Sequence, residues 1–176
     1  MPEPGDKSFV FVVGGARSGK SSFAMKLAGS SGSPRLYIAT AEALDGEMEG
    51  RIRKHREERG GGWETLEEPR EVSGRIEEAK GYAVVLIDCL TLWLTNLLMA
   101  GLDDGAVAKE VDRFISACAL SPSKIVAVSN EVGLGLVPDN PLSRRFRDLS
   151  GTMNRMVAGA ATQAYFVASG IPLKMK

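Results

Sequence analysis

Between Gly14 and Ser21 the chain reads Gly14-Gly15-Ala16-Arg17-Ser18-Gly19-Lys20-Ser21, a full match to the phosphate-binding pattern G-x-x-x-x-G-K-[ST]. Each residue type has a physical reason. Glycines let the backbone turn tightly so that its N–H groups aim at phosphate oxygens. A helix that starts at the loop adds favourable potential for an anion. Lys20 brings a mobile positive charge to the β- and γ-phosphates, and the Ser21 hydroxyl suits Mg²⁺. A chance glycine-rich turn can carry the same letters. Here an apolar run, Phe9-Val10-Phe11-Val12-Val13, precedes the loop, and a stretch of helical composition, Ser22 to Ala28, follows it. Strand, loop and helix therefore stand in the required order.

Two further residues carry chemistry. Asp88 closes the apolar run Tyr82-Ala83-Val84-Val85-Leu86-Ile87, the pattern of a Walker B strand whose aspartate helps hold Mg²⁺. The competing reading is an ordinary helix-capping Asp. His55, the single histidine, lies in Arg51-Ile52-Arg53-Lys54-His55-Arg56-Glu57-Glu58-Arg59, which holds five basic and two acidic residues. Composition alone reads this as a solvated helix face. The sharper reading is a nucleophile, because much imidazole is unprotonated near neutral pH. Arg56 and Arg59 would then neutralise a phosphate under attack.

The elements that position these groups alternate along the chain. Strands are expected at 9–13, 35–40, 63–66, 82–88, 124–129 and 164–169, with a short edge strand over 171–176. Helices are expected at 22–28, 41–58, 72–80, 90–100 and 106–119, with a long one from Leu142 through Val157. Gly101 to Gly105 is read as a turn. Such alternation predicts a doubly wound α/β domain, a mostly parallel sheet with helices on both faces. The 176 residues form one expected domain, 1–176, with Met1 to Lys7 a loose tail. Lys plus Arg and Asp plus Glu both count 22, so the formal net charge is zero and no nucleic-acid partner is expected. No segment approaches the ~20 apolar residues of a membrane span. The opening MPEPGDKSF has neither the basic nor the apolar region of a signal peptide. Cys89 and Cys118 lack metal-ligand spacing and are read as free, in a reducing, cytoplasmic compartment.

Several stretches together resemble one family. They are Gly14–Ser21, Tyr37-Ile-Ala-Thr40, Arg51-Ile-x-x-His55-Arg56, Trp63-x-Thr65-x-Glu67-Glu68-Pro69, Asp88-Cys-Leu-Thr-Leu-Trp-Leu-Thr-Asn96 and Asn130-Glu-Val-Gly133. Val137-Pro138-x-Asn140, Arg147-Asp148 and Ser169-Gly170-Ile171 extend the likeness over nearly the whole chain. The family is the bifunctional adenosylcobinamide kinase/adenosylcobinamide-phosphate guanylyltransferase of cobalamin biosynthesis. The resemblance implies a RecA-like P-loop NTPase domain and a homotrimer. It implies phosphorylation of the aminopropanol hydroxyl of adenosylcobinamide by a nucleoside triphosphate, ATP or GTP. It then implies transfer of GMP from GTP, through a guanylylated His55, to the corrinoid phosphate. By the same resemblance the nucleotide contacts fall on Gly14 to Ser21, Ala39, Thr40, Ala41, Arg56, Glu57, Glu58, Arg59, Glu67 and Asp88. Lys20 and His55 are the catalytic pair, and Ser21 and Asp88 the Mg²⁺ ligands. One departure is Gly60-Gly61-Gly62, where the family usually carries proline after the arginine that is Arg59 here. Glycine makes that loop more flexible.

Two other functions fit parts of the pattern. A single-activity P-loop small-molecule kinase would keep Lys20, Ser21 and Asp88 and leave His55 idle. A RecA-like module acting on nucleic acid would sit poorly with the zero net charge. No motif marks a corrinoid pocket. Asn96, Asn130 and Glu131 read equally as pocket-rim, cap or turn residues.

Overall fold

The computed structural model describes residues 8–42, 50 and 61–176. Its frame is a seven-stranded sheet in the order β3-β2-β4-β5-β1-β6-β7. The strands are β1 (Phe9–Gly14), β2 (Arg35–Ala39), β3 (Glu64–Glu67), β4 (Val84–Asp88), β5 (Lys124–Asn130), β6 (Gln163–Ala168) and β7 (Ile171–Lys174). Every neighbouring pair is parallel except β6 with β7. The helices are α1 (Lys20–Gly29), α2 (Val72–Glu78), α3 (Leu90–Met99), α4 (Asp104–Leu120) and α5 (Pro141–Ala160). The helix expected over 41–58 lies almost wholly outside the described residues.

Alternate residues of the central strands feed two cores, one on each face. Phe9, Phe11, Val13, Ile38, Val85, Ile87, Ile125 and Ala127 pack with Ile76 of α2, Trp93 of α3, Phe114 of α4 and Met153 of α5. Val10, Val12, Tyr37, Leu86, Val126 and Val128 pack on the other face with Ala24 and Ala28 of α1. Burial on both faces is why these strands read as continuous apolar runs rather than alternating ones.

Element ends depart from the sequence reading where local caps decide. The Asp103 carboxylate accepts the Ala106 N–H at 2.8 Å. That cap starts α4 at Asp104, so Gly105 sits in its first turn and the turn before it is shorter than expected. Asn140 likewise caps α5 by accepting the Ser143 N–H at 2.8 Å, and Pro141 fills the first helical turn.

Phe114 is fully buried, with its ring 5.4 Å from that of Trp93 and 6.2 Å from that of Phe9. Phe114→Ala is expected to cost about 3–5 kcal/mol. A urea titration should show the fall as a lower midpoint.

Candidate nucleotide site

The phosphate loop joins β1 to α1. Its backbone is left-handed at Arg17 (φ 56°) and Gly19 (φ 90°), on either side of Ser18. Alternation of this kind turns successive N–H groups into an anion nest. Placing the non-glycine Arg17 there costs roughly 1–2 kcal/mol, strain that the neighbouring chain must hold. The Ser18 N–H donates to the Gly15 carbonyl at 3.3 Å, and the Gly170 N–H donates to the Ser18 carbonyl at 2.8 Å. Gly14 and Gly19 allow close approach. A Cβ on Gly14 would meet the Val167 carbonyl oxygen at 2.4 Å, and one on Gly19 the Gly170 Cα at 3.1 Å.

Lys20 opens α1 and is 8% exposed. Its ammonium donates to the Gly15 carbonyl at 3.0 Å, so it folds back over the loop. Burial lowers its pKa from the usual 10.5, and the nearby Cys89 and Asp88 oppose that shift. The Cys89 thiol is itself pushed up to about 12, chiefly by burial, and stays neutral near pH 7. Asp88 is therefore the countercharge that matters.

Asp88 ends β4 but does not cap the following helix. The cap position of α3 is Cys89, and no side chain bonds there. One Asp88 carboxylate oxygen accepts the Tyr37 hydroxyl at 2.8 Å. The other Asp88 oxygen and the Ser21 hydroxyl have no hydrogen-bond partner among the described residues. Two hard oxygen donors beside a phosphate loop fit Mg²⁺, which takes one or two protein oxygens and completes its shell with phosphate and water. No cluster of three or more His, Cys, Asp or Glu forms among the described residues.

The remaining expected contacts line the same rim. Glu67, Ala39 and Asp88 stand in one row across β3, β2 and β4. Thr40, directly after β2, is fully buried. Its hydroxyl donates to the Cys89 carbonyl at 2.7 Å and accepts the Cys89 N–H at 2.8 Å. Ala41 follows it, half-buried. His55, Arg56, Glu57, Glu58 and Arg59 lie outside the described residues.

Asn96 is neither a cap nor a pocket-rim residue. Its buried side-chain N–H₂ donates to the Thr40 carbonyl at 2.8 Å and the Pro69 carbonyl at 2.9 Å, tying the ends of β2 and β3 together. Glu131 is a turn residue, accepting the Gly133 N–H at 2.6 Å. Asn130 is held through its backbone. Its N–H donates to the Thr91 hydroxyl at 2.7 Å, and its carbonyl accepts the Asn154 side-chain N–H₂ at 3.0 Å. Ser129 completes this buried set by donating to Asn154 Oδ1 at 2.7 Å. Sequence reasoning gave no role to Ser129 and Asn154 and quoted Thr91 only within a longer stretch, because a short polar side chain inside a helix or strand does not announce its partner.

Beside Glu68 a cleft of about 440 Å³ is lined by Glu68, Glu71 and Glu110 together with Arg70. Burial pushes the Glu68 carboxyl up, but the N–H groups of Glu71 and Arg70 and the Arg75 guanidinium outweigh it and hold the group low. None of the residues that line the cleft belongs to Gly14–Ser21, so it is distinct from the phosphate loop.

Residues 10–175 match the family described as cobinamide kinase / cobinamide phosphate guanyltransferase. The bifunctional adenosylcobalamin biosynthesis protein CobP of Pseudomonas aeruginosa is 43% identical, over 94% of this chain and 95% of that one. The protein CobU of Escherichia coli, described in the same words, is 42% identical over 95% of this chain and 99% of that one. Among solved structures, flagellar accessory protein FlaH of Methanocaldococcus jannaschii superposes with a TM-score of 0.56 at 13% identity, over 98% of this chain and 79% of that one. The RadB recombinase gives 0.52 at 11% identity, over 92% and 74%. These likenesses show the fold alone, and that fold is the RecA-like P-loop NTPase expected from the sequence.

Two outcomes follow from the geometry. For the free protein, the Lys20 pKa lies below its unfolded value of 10.5, so the native state binds fewer protons between the two values. Burying Lys20 therefore costs stability below the folded pKa, and that cost fades as pH rises toward 10.5. A bound triphosphate should restore the pKa, so nucleotide binding at alkaline pH is expected to take up protons. Calorimetry in buffers of different ionisation enthalpy should detect this, and Lys20→Met should abolish it. Asn96→Ala leaves the Thr40 and Pro69 carbonyls buried without a donor. It is expected to cost about 1–3 kcal/mol by denaturant titration and to weaken nucleotide affinity.

Proposed function

The chain belongs to the cobinamide kinase / cobinamide phosphate guanyltransferase family, and from that membership we propose that it converts adenosylcobinamide to adenosylcobinamide-GDP in two steps at a single P-loop domain, residues 1–176. The observation that carries this reading is the family match over residues 10–175 on a chain whose phosphate loop, Lys20 and Asp88 share one rim.

In the first step the aminopropanol hydroxyl oxygen of adenosylcobinamide bonds to the γ-phosphorus of ATP or GTP. The bond from the γ-phosphorus to the β,γ-bridging oxygen breaks, the nucleoside diphosphate leaves, and the hydroxyl proton is released. Backbone N–H groups of Gly14 to Ser21 orient the phosphates, and Lys20 screens charge that builds during transfer. Ser21 and Asp88 would hold Mg²⁺, which would supply neutralising charge to the phosphates. In the second step an imidazole nitrogen of His55 bonds to the α-phosphorus of GTP and pyrophosphate leaves. The corrinoid phosphate then displaces His55 and takes the GMP. Arg56 and Arg59 screen the α-phosphate. Glu57, Glu58, Glu67, Ala39 and Ala41 complete the nucleotide contacts. Thr40, with its hydroxyl engaged by Cys89 and its carbonyl by Asn96, contributes by holding Ala39 and Ala41 in place.

The proposed assembly, implied by the sequence resemblance, is a homotrimer. No helix among the described residues is long and apolar enough to cross a membrane. The proposed enzyme is cytoplasmic, with the corrinoid rather than nucleic acid as its partner.

His55→Ala is expected to abolish GMP transfer while phosphorylation of adenosylcobinamide stays near the wild-type rate. Intact-protein mass spectrometry after incubation with GTP and Mg²⁺, worked up without acid, should find a GMP adduct on the wild type alone. A wild type that binds GTP without forming the adduct would point instead to a single-activity kinase.

A further inference from the structure

After β5 the chain runs through Val132-Gly133-Leu134-Gly135-Leu136-Val137-Pro138, in which no side chain is charged or able to hydrogen-bond. It forms no helix or strand, yet it is strongly exposed. Leu134 is 80% exposed, Leu136 96% and Val137 70%. Single exposed leucines are ordinary, but three large apolar side chains within four residues of an irregular loop are not. Loops of this kind are normally built from polar turn residues.

The segment is also pinned. The Glu131 N–H donates to the Gly14 carbonyl at 2.9 Å, so the loop departs from the first glycine of the phosphate motif. Arg147 donates to the Gly133 carbonyl at 2.7 Å. Arg144 donates to the carbonyls of Pro138 at 3.0 Å and Asp139 at 2.8 Å. Guanidinium groups thus fix the apolar stretch at both ends, while its side chains face outward. The ordering entropy is met in advance, as in a surface prepared for a ligand.

We propose that Val132–Pro138 seats the corrin ring of the acceptor during phosphoryl transfer. The inference rests on the proposed function and adds the position of its acceptor. A corrinoid is a broad macrocycle with apolar faces and a rim of carboxamides. Leu134, Leu136 and Val137 match the faces. The backbone N–H and C=O of Gly135, with no hydrogen bond among the described residues, match the rim. Because the loop leaves from the Gly14 carbonyl, a ring seated there lies beside the triphosphate. Its hydroxyl-bearing arm then has only a short way to reach the γ-phosphate.

The test is steady-state phosphorylation of adenosylcobinamide by the full-length protein and its Leu134→Ser/Leu136→Ser variant. It is accompanied by GTP titration and by light scattering for molecular mass. Both leucines are exposed, so folding is expected to survive. The expected result is a KM for adenosylcobinamide raised about tenfold or more, with GTP affinity and mass unchanged, and with Leu136→Met close to wild type. An unchanged KM would overturn the inference and leave the proposed function standing. A change of mass would overturn it too, by assigning the surface to contacts between copies of the chain. A wild type inert toward adenosylcobinamide while it binds GTP would remove the proposed function itself, and the inference with it.

Discussion

The phosphate loop keeps its shape because foreign backbone stands where side chains are missing. Gly14 lies against the Val167 carbonyl and Gly19 against Gly170, each at a distance that leaves no room for a relaxed Cβ. The Gly170 N–H closes the clamp on Ser18. A left-handed Arg17 would relax to an ordinary conformation in a free peptide. Here the Gly170 N–H holds the Ser18 carbonyl beside it and the Glu131 N–H holds Gly14 at the start of the loop, so the anion nest exists before any anion arrives. Preorganisation of this kind is what makes backbone dipoles effective toward phosphate.

A second layer of polar groups fixes the rim. Thr40, Asn96 and Cys89 lock the ends of β2, β3 and β4 to one another. Thr91, Ser129 and Asn154 do the same for the end of β5. These groups are buried and mutually satisfied, which makes each network rigid and intolerant of partial loss. Lys20 is the exception. It is buried with its ammonium on the Gly15 carbonyl and the Asp88 charge nearby, its own charge held in reserve for a polyanion.

Much of this was legible in the sequence. The P-loop spacing announced the β1–α1 junction, and doubly buried strands such as Val84–Asp88 announced a parallel sheet. Part of the family resemblance was carried by residues that stand at this rim, Gly14–Ser21, Ala39, Glu67 and Asp88. Less legible were interactions whose acceptor is a backbone carbonyl far along the chain. Asn96 reaches Thr40 and Pro69, and Arg147 reaches Gly133, but any residue type can offer a carbonyl, so no pattern of letters records the pairing. The start of α4 was misplaced for a related reason. Glycine at 105 suggested a turn, while the Asp103 cap outweighed its low helix propensity. Asp88 resolved the other way, since the helix after it is entered through Cys89.

The position of β1 has a consequence for biosynthesis. Among the described strands it comes first in sequence, yet its two neighbours are β5 and β6, from Lys124–Asn130 and Gln163–Ala168. The growing chain must therefore carry an apolar, unpaired strand until β5 has been made. Pairings so distant in sequence form late and slowly. The backbone that braces Gly14 and Gly19 comes from Val167 and Gly170, so the nucleotide site closes only when the last strands have docked. Competence to bind nucleotide thus depends on β6 and the turn after it, and a chain interrupted before them lacks that bracing.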